Sequence, residues 1–155
     1  MGDIFLKIDG IAGESLDAQH PGEIEVLSFA WGVVNESGAG AGTGGGAAGR
    51  PTFRDFQVTN AVSKASPRLM LACANGTHFR SAVLSVRKAG GASQDYLRVT
   101  LKDCVVSAYQ SATSEGGAPV DQVSLEFAKA TYSYRPQKAD GSLGSAVEVS
   151  VSPGG

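Results

Sequence analysis

The sequence is poor in the residue types that usually mark chemical sites. Its 155 residues include two cysteines, two histidines and one tryptophan. Cys73 and Cys104 lie far apart, without the closely spaced pairs of a zinc site or the even framework of a disulfide scaffold. We therefore interpret both as buried small apolar residues of a protein made in a reducing compartment, and we expect no metal and no cofactor.

Neither sign of charge is in excess. Thirteen basic and fifteen acidic side chains leave a formal net charge of −2, which disfavours nucleic acid and anionic membranes as partners. The sequence has no apolar run of the roughly eighteen residues that a membrane-spanning helix needs. Residues 4–8 enter an alternating strand without a basic leader and long apolar core, so we expect no Sec-type signal and a protein that starts in the cytoplasm.

Glycine, in contrast, is abundant, with 21 residues. Seven of them fall between residues 38 and 49, a segment without charges or large side chains. Gly40, Gly42 and Gly45 fit the GxGxxG pattern, but no helix follows to receive a phosphate, and such a glycine density produces the match by chance. The segment at about 35–51 is either a flexible linker inside a hairpin or an extended arm that orders on a partner.

Alternating hydrophobicity predicts that the chain is mainly β. Residues 23–34 form the second predicted strand, with large side chains on one face and small ones on the other. We assign the large face to the core, and the small face suits close packing or the lining of a channel. The large face comprises Leu27, Phe29, Trp31 and Val33, and the small face comprises Val26, Ser28, Ala30 and Gly32.

Two long predicted strands change their buried face part way along. In residues 96–110 the apolar phase slips at Asp103, and in residues 120–135 it slips between Phe127 and Ala130. Such slips predict bulges or a switch between sheets, which β-barrels require. At this length a single domain over residues 1–155 can bury a sufficient core.

One segment, residues 65–76, is predicted to be a helix. Ser66 can cap its first turn, Pro67 fits the first helical position, and Gly76 can adopt the left-handed conformation that ends a helix. The run 69–74 is apolar or small without a polar stripe, so we expect the helix to be covered on more than one side. Its own barrel can provide the whole cover, or a loop or a second copy can complete it.

No group of residues makes a convincing catalytic site. Ser15, Asp17 and His20 lie within six residues, but triad members are normally brought together from distant segments beside an oxyanion hole. We expect Asp17 and His20 to satisfy local backbone groups, and His78 has no persuasive partner by spacing. A monomeric β-barrel that binds a ligand stays open as an alternative, although Trp31 has the phase of a core residue.

Several short motifs follow one another along nearly the whole chain. The first comprises residues 13–15, Asp17, His20, 23–28 and 31–32, and the later ones comprise residues 65–67 with 71–73, 86–91 with 96–97, and 123–125 with 127–129 and 134–138. In this order they resemble the haemolysin co-regulated protein (Hcp) family, the tube subunit of bacterial type VI secretion. Beyond about residue 142 the sequence departs from the family, because the aromatic ending of many members is missing.

The resemblance implies two packed antiparallel sheets that form a small β-barrel with one short α-helix at its side. It also implies a structural protein rather than an enzyme, in which homohexameric rings stack into a tube tipped by a VgrG-type spike protein. A contractile sheath ejects such a tube from the bacterial cytoplasm, and its channel carries and protects small effector proteins. The protein is then secreted without a Sec-type signal peptide.

The resemblance and the residue patterns together predict three sites. The ring interface is predicted on the helix, and the channel lining is predicted on the small face of the second strand, at Ser28 and Ala30. The ring interface comprises Leu69, Met70, Ala72 and Cys73, and the ring-stacking loop comprises Gly38, Gly40, Gly42, Gly44, Gly45, Gly46 and Gly49.

Overall fold

The computed structural model describes residues 3–36, 50–88 and 94–153. Nine strands and one helix occur in this part of the chain: β1 (Ile4–Ile8), β2 (Ile24–Ala30), β3 (Val33–Asn35), β4 (Pro51–Phe53), β5 (Phe56–Ala61), α1 (Ala65–Asn75), β6 (His78–Arg87), β7 (Asp95–Ala112), β8 (Val120–Tyr134) and β9 (Val147–Val151). Within these ranges, no helix has both the length and the apolar character that crossing a membrane requires.

The main sheet closes on itself as a barrel. Its strand order is β5-β2-β1-β6-β7-β8-β9, with every neighbouring pair antiparallel. The first half of β8 also pairs with β5, which closes a six-stranded barrel, while its second half pairs with β9. Strands β3 and β4 form a separate two-stranded sheet. The predicted mainly β barrel with one helix is therefore confirmed.

Apolar side chains from every barrel strand and from α1 fill the barrel. Phe56, Ala82, Val99, Cys104 and Leu125 have no measurable exposure, which is the close packing expected of a protein interior. The barrel interior is therefore a core rather than a ligand chamber.

The phase slips predicted in the two long strands are present. In β7 the buried side changes between Leu101 and Cys104, and Asp103 adopts a positive φ of 51°. In β8 it changes between Phe127 and Ala130. Since Cys104 pairs with Phe127, both changes occur at one level of the sheet.

Strand β6 changes its buried side at the same level, between Phe79 and Ala82. Phe79 pairs with Cys104, so three neighbouring strands bend together along one line. A second irregularity lies further along β7, where the register with β8 shifts between Val106 and Ala108. These bends let a few long strands curve around a closed barrel.

The face assigned to β2 from its alternation is wrong at three positions. The register with β5 shifts between Val26 and Ser28, so Leu27 occupies a β-bulge and is 61% exposed. Val26, expected on the small face, is buried instead. Beyond β2, Val33 is also exposed rather than in the core. Because a bulge inserts one residue, it reverses the alternation on either side of it.

Helix α1 ends as predicted but begins differently. Gly76 has a positive φ of 69° and donates its N–H to the carbonyl of Ala72. The N-cap residue is Lys64, without a side-chain cap, and Ser66 does not cap the helix. Its hydroxyl instead accepts a hydrogen bond from the N–H of Ser63 and donates one to Asp121.

The described residues of this chain cover one side of α1. The buried residues are Ala65, Ser66, Leu69 and Ala72, and they face the barrel. On the other side Met70 is 57% exposed and Leu71 is similarly open. Large apolar side chains exposed together on a helix are typical of a contact with another molecule.

Candidate functional site

The most apolar depression described on the surface is a groove beside the end of β2. It has a volume of about 220 Å³ and is lined by Trp31, Gly32, Val33, Phe53, Tyr132, Val149 and Val151. We refer to these seven residues as the apolar groove. Its walls come from the β2–β3 connection, the β3–β4 sheet, β8 and β9, so distant parts of the chain build it together.

Strand pairing explains why apolar side chains converge in this groove. Tyr132 of β8 pairs with Val149 of β9, and Ala130 pairs with Val151, so all four point to one face. Ala130 is in the core, whereas Val149 is 59% exposed. The core face of β8 therefore continues outward past the barrel and remains apolar at the surface.

Aromatic contacts make the floor of the groove rigid. The ring of Trp31 lies 5.4 Å from the ring of Phe56 in the core, and 6.2 Å from that of Phe127. Phe127 is also in edge contact with Phe53 at 6.4 Å. Trp31 is half-buried, with one side of its ring packed against the core. The sequence-based assignment of Trp31 to the core is therefore correct for that side of the ring.

The edge of β9 adds backbone groups to this surface. β9 is the last strand of the main sheet, and in the part of the chain that the structure describes its outer edge has no strand partner. Val147 and Val149 are both exposed on it. An exposed edge strand with apolar side chains favours pairing with another chain.

The four predicted ring-interface residues fall into two groups. Leu69 is 1% exposed and Ala72 is similarly buried, so both belong to the core of this chain and leave no surface for a neighbour. Met70 is on the exposed side, and Cys73 is half-buried. Leu71, which is not among the four predicted residues, is exposed beside Met70 because of how the helix is rotated against the barrel.

The predicted channel-lining residues lie on the outer face of β2. Ser28 and Ala30 are exposed, and they pair with Thr59 and Gln57 of β5. The bulge places Leu27 on the exposed surface beside Ser28. The two predicted positions are therefore exposed, small and uncharged, with one large apolar side chain beside them.

The seven glycines of the predicted stacking loop lie outside the described residues. The strands on both sides of them are described, since Val33 pairs with Phe53, Val34 with Thr52, and Asn35 with Pro51. The glycine-rich segment therefore connects the two strands of a hairpin next to the apolar groove.

A second cluster, of charged side chains, surrounds His20. Its Nδ1 lies 3.1 Å from both carboxylate oxygens of Glu23, and its Nε2 lies 3.0 Å from Oδ1 of Asp95. Burial alone would lower the pKa of His20, but the hydrogen bonds that its ring donates to Asp95 and Glu23 outweigh it and raise the pKa above its ordinary value. Asp95 is 75 residues away in the sequence, so no local pattern could have predicted this partner.

Asp17 belongs to the same region and also has the predicted local role. Its Oδ2 accepts hydrogen bonds from the N–H groups of Gln19 and His20. Its other oxygen lies 2.6 Å from Nη1 of Arg87. Burial opposes the charged carboxylate, but the bond to Arg87 and the two backbone bonds outweigh it, so the pKa of Asp17 is lowered.

A buried carboxylate fixes the start of α1 to the barrel. Asp121 has no exposed surface, and it accepts hydrogen bonds from Ser66, from the amide of Asn60 at 3.4 Å, and from the Tyr109 hydroxyl at 2.6 Å. Burial raises the pKa of Tyr109, and the bond to Asp121 raises it further. Four elements meet at this one side chain, which explains how the helix keeps its rotation.

The remaining reactive groups do not form a site in the described residues. Cys104 is buried, and burial raises the pKa of its thiol to about 11. Both cysteines are free thiols. Within residues 3–36, 50–88 and 94–153, no three His, Cys, Asp or Glu side chains are placed to hold a metal ion.

Comparison with known proteins gives consistent matches. Residues 5–134 match the family described as "Type VI secretion system effector, Hcp". The chain is 42% identical over 141 residues to protein hcp1 of Pseudomonas aeruginosa, a match that covers 90% of this chain and 86% of that relative.

Solved structures match over nearly the whole length as well. A structure described as a type six secretion system protein is 30% identical with a TM-score of 0.91, over 98% of this chain and 96% of the other. Hcp1 from Salmonella typhimurium is 34% identical with a TM-score of 0.80, over 99% and 96% of the two chains.

Proposed function

Because the chain belongs to the Hcp family of type VI secretion proteins, we propose that six copies of it close into a ring and that such rings stack into the inner tube. The protein is a secreted structural component of this system and not an enzyme. Its work is then mechanical, and it depends on which surfaces of one copy bind the next.

A closed ring of identical chains needs a head-to-tail interface, in which two different surfaces of each chain meet. The chain exposes two separate apolar surfaces that suit this requirement. One is the apolar groove with the edge of β9, and the other is the outer side of α1 with Met70 and Leu71. The observation that carries the proposal is the groove, because its aromatic floor is continuous with the core and therefore preorganised.

We assign the ring contact on α1 to Met70, Leu71 and Cys73. Leu69 and Ala72 are buried against the barrel and anchor the helix, so that Met70, Leu71 and Cys73 face outward. Removing apolar area from water is worth about 25 cal/mol per Å². Burying these three side chains against a neighbour would therefore contribute to the ring contact.

Ser28 and Ala30 are proposed to line the channel. Small uncharged side chains make a surface that a protein can slide along, since they offer neither strong ion pairs nor deep pockets. Leu27, which the bulge exposes beside them, would supply an apolar contact for cargo. Small effector proteins are thus the proposed occupants of the channel.

The glycine-rich segment is proposed to contact the adjacent ring. It contains Gly38, Gly40, Gly42, Gly44, Gly45, Gly46 and Gly49. Glycine has no side chain, so its backbone can approach another backbone closely. The segment connects β3 and β4, two strands that also contribute residues to the apolar groove.

Membership of the Hcp family also supports a proposal for the larger assembly. We propose that the tube forms in the bacterial cytoplasm, binds a VgrG-type spike at its tip and is ejected by a contractile sheath. Export by this route needs no Sec-type signal.

A monomeric barrel that binds a small ligand is the alternative. The groove of about 220 Å³ is apolar enough for this role, but small-molecule sites usually enclose roughly 300–1,000 Å³. The barrel interior is filled with side chains and offers no second chamber. The groove therefore fits a protein neighbour better than an enclosed ligand.

Native mass spectrometry of the purified protein tests the proposal. The expected species has six times the 15.8 kDa mass of one chain, and electron microscopy should show six-membered rings. A monomer over the whole concentration range would overturn the ring and favour the ligand-binding alternative.

A further inference from the structure

We propose that the β1–β2 loop, residues 9–23, is held against the barrel by a proton-dependent clasp made of His20, Glu23 and Asp95. The clasp closes when His20 is an imidazolium and opens on its Asp95 side when the ring becomes neutral. This inference concerns a single chain and does not depend on ring formation.

The hydrogen-bond geometry requires the charged ring. His20 is 5% exposed, and each of its two ring nitrogens faces a carboxylate at 3.0 to 3.1 Å. A neutral imidazole has one N–H donor, so one of its nitrogens would present a lone pair to a negatively charged oxygen. Only the imidazolium can donate to Glu23 and to Asp95 at the same time.

Whether a neutral His20 loses its bond to Glu23 or its bond to Asp95 depends on the other hydrogen-bond partners of these two carboxylates. Asp95 also accepts a hydrogen bond from Nη2 of Arg98 at 3.1 Å. For Glu23, His20 is the hydrogen-bonding side chain found among the described residues. A neutral His20 therefore keeps its proton on Nδ1 for Glu23 and releases Asp95. The local bond remains, and the bond that ties the loop to β7 is broken.

The charged groups around His20 favour the imidazolium form of its ring. The ring of His20 stacks on Phe5 at 4.5 Å with an interplanar angle of 11°, and the guanidinium of Arg87 lies 5.0 Å from the same Phe5 ring. Arg87 also pairs with Asp17 at 2.6 Å and with Asp3 at 3.5 Å. Four carboxylates therefore face two guanidinium groups and His20. The carboxylates belong to Asp3, Asp17, Glu23 and Asp95, and the guanidinium groups belong to Arg87 and Arg98.

Backbone contacts close the β1–β2 loop on itself, so we expect it to move as one unit. Its two ends are joined where the N–H of Gly13 donates to the carbonyl of Gly22 at 2.7 Å. A Cβ at Gly13 would lie 2.5 Å from the carbonyl oxygen of Glu23, so only glycine fits this approach. Leu16 is 94% exposed at the tip, next to Asp17. The clasp therefore controls how firmly the loop and its exposed Leu16 are held against the barrel.

The test follows His20 of the wild-type protein by NMR, with ¹³C-labelled imidazole rings, from about pH 5 to about pH 10. We expect His20 to titrate above the ordinary histidine value of about 6.5. Amide hydrogen exchange should show a loss of protection in residues 9–23 through the same pH range, with β1 unchanged. A His20 midpoint at or below that ordinary value, or constant loop protection across it, would overturn the proposal.

A matched pair of variants separates the clasp from simple packing. Asp95→Asn offers an amide N–H to a neutral Nε2, so the His20 midpoint should fall toward the ordinary histidine value and loop protection should become independent of pH. Asp9→Asn removes an exposed carboxylate of the same loop and should leave the midpoint of His20 unchanged. Equal shifts in both variants would contradict the clasp, and if Asp95→Asn does not fold, the wild-type titration decides alone.

Discussion

The ring of Trp31 lies 5.4 Å from the ring of Tyr132, at an interplanar angle of 46°. Trp31 is equally close to Phe56 in the core, so one continuous aromatic cluster connects the barrel interior to the apolar groove. Tyr132 pairs with Val149 of the edge strand. The surface that we assign to the ring contact therefore rests directly on the core.

A charge placed in the groove should prevent ring formation without unfolding the chain. Val149→Lys puts an ammonium group on the apolar surface, where a neighbour would have to bury it unpaired. We expect the mass of a monomer instead of a hexamer, and an unchanged thermal midpoint of the isolated chain. Ser150→Lys is the control, because Ser150 lies on the opposite face of β9 and pairs with Thr131. A hexamer of Val149→Lys at the same concentration as the control would contradict the groove assignment.

Two neighbouring residues of α1 should behave in opposite ways. Leu69→Ala empties a fully buried position and should lower the free energy of unfolding by about 2–5 kcal/mol. Met70→Ala shortens an exposed side chain. It should change the free energy of unfolding by less than about 0.5 kcal/mol and should weaken the ring. Urea unfolding and native mass spectrometry measure the two effects. A ring that is equally stable in Met70→Ala would exclude the outer side of α1 from the interface.

Tyr109 should contribute to stability through its hydroxyl. Tyr109→Phe leaves the buried Asp121 without one donor and should cost about 1–3 kcal/mol. Tyr134→Phe is the control, because Tyr134 is on the exposed end of β8. In the wild type, ultraviolet titration should find a tyrosine that ionises above the ordinary value of about 10, and Tyr109→Phe should remove it. Equal stability of the two variants would contradict this role.

The two thiols should differ in reactivity. The Cys104 thiol, with a pKa of about 11, is protonated at pH 8 and buried, so it should not react with iodoacetamide until the chain unfolds. Cys73 is half-buried on α1 and should react in the isolated chain. In the ring its labelling should slow, because a neighbour covers the outer side of α1. Mass spectrometry of tryptic peptides measures both rates, and equally fast labelling of Cys73 in ring and monomer would argue against the α1 contact.

Removal of the glycine-rich segment should separate ring formation from stacking. Deleting residues 38–49 leaves three residues between Asn35 and Pro51, within the roughly two to five that close a hairpin. We expect intact rings and few long tubes by electron microscopy. Replacing the segment with a glycine-serine chain of equal length is the control for connection alone. Tubes of unchanged length after the deletion would show that the segment is only a linker.

Features with a local cause could be predicted from the sequence. Gly76 ends the helix because a residue without Cβ adopts positive φ easily, and this holds in any tertiary context. The slip at Asp103 was visible because alternation along one strand records its own bends. The family could be recognised for the same reason, since its motifs are short and follow the chain order.

Features that need a partner from elsewhere in the chain were decided by the tertiary structure alone. Leu27 looked like a core residue, but the register with β5 places it in a bulge. His20 looked like a local loop residue, but Asp95 approaches it across 75 positions. The apolar groove exists because β9 returns beside β8, and no stretch of sequence contains both walls. Pairing between distant strands determines which side chains meet, and alternation within one strand carries no record of that pairing.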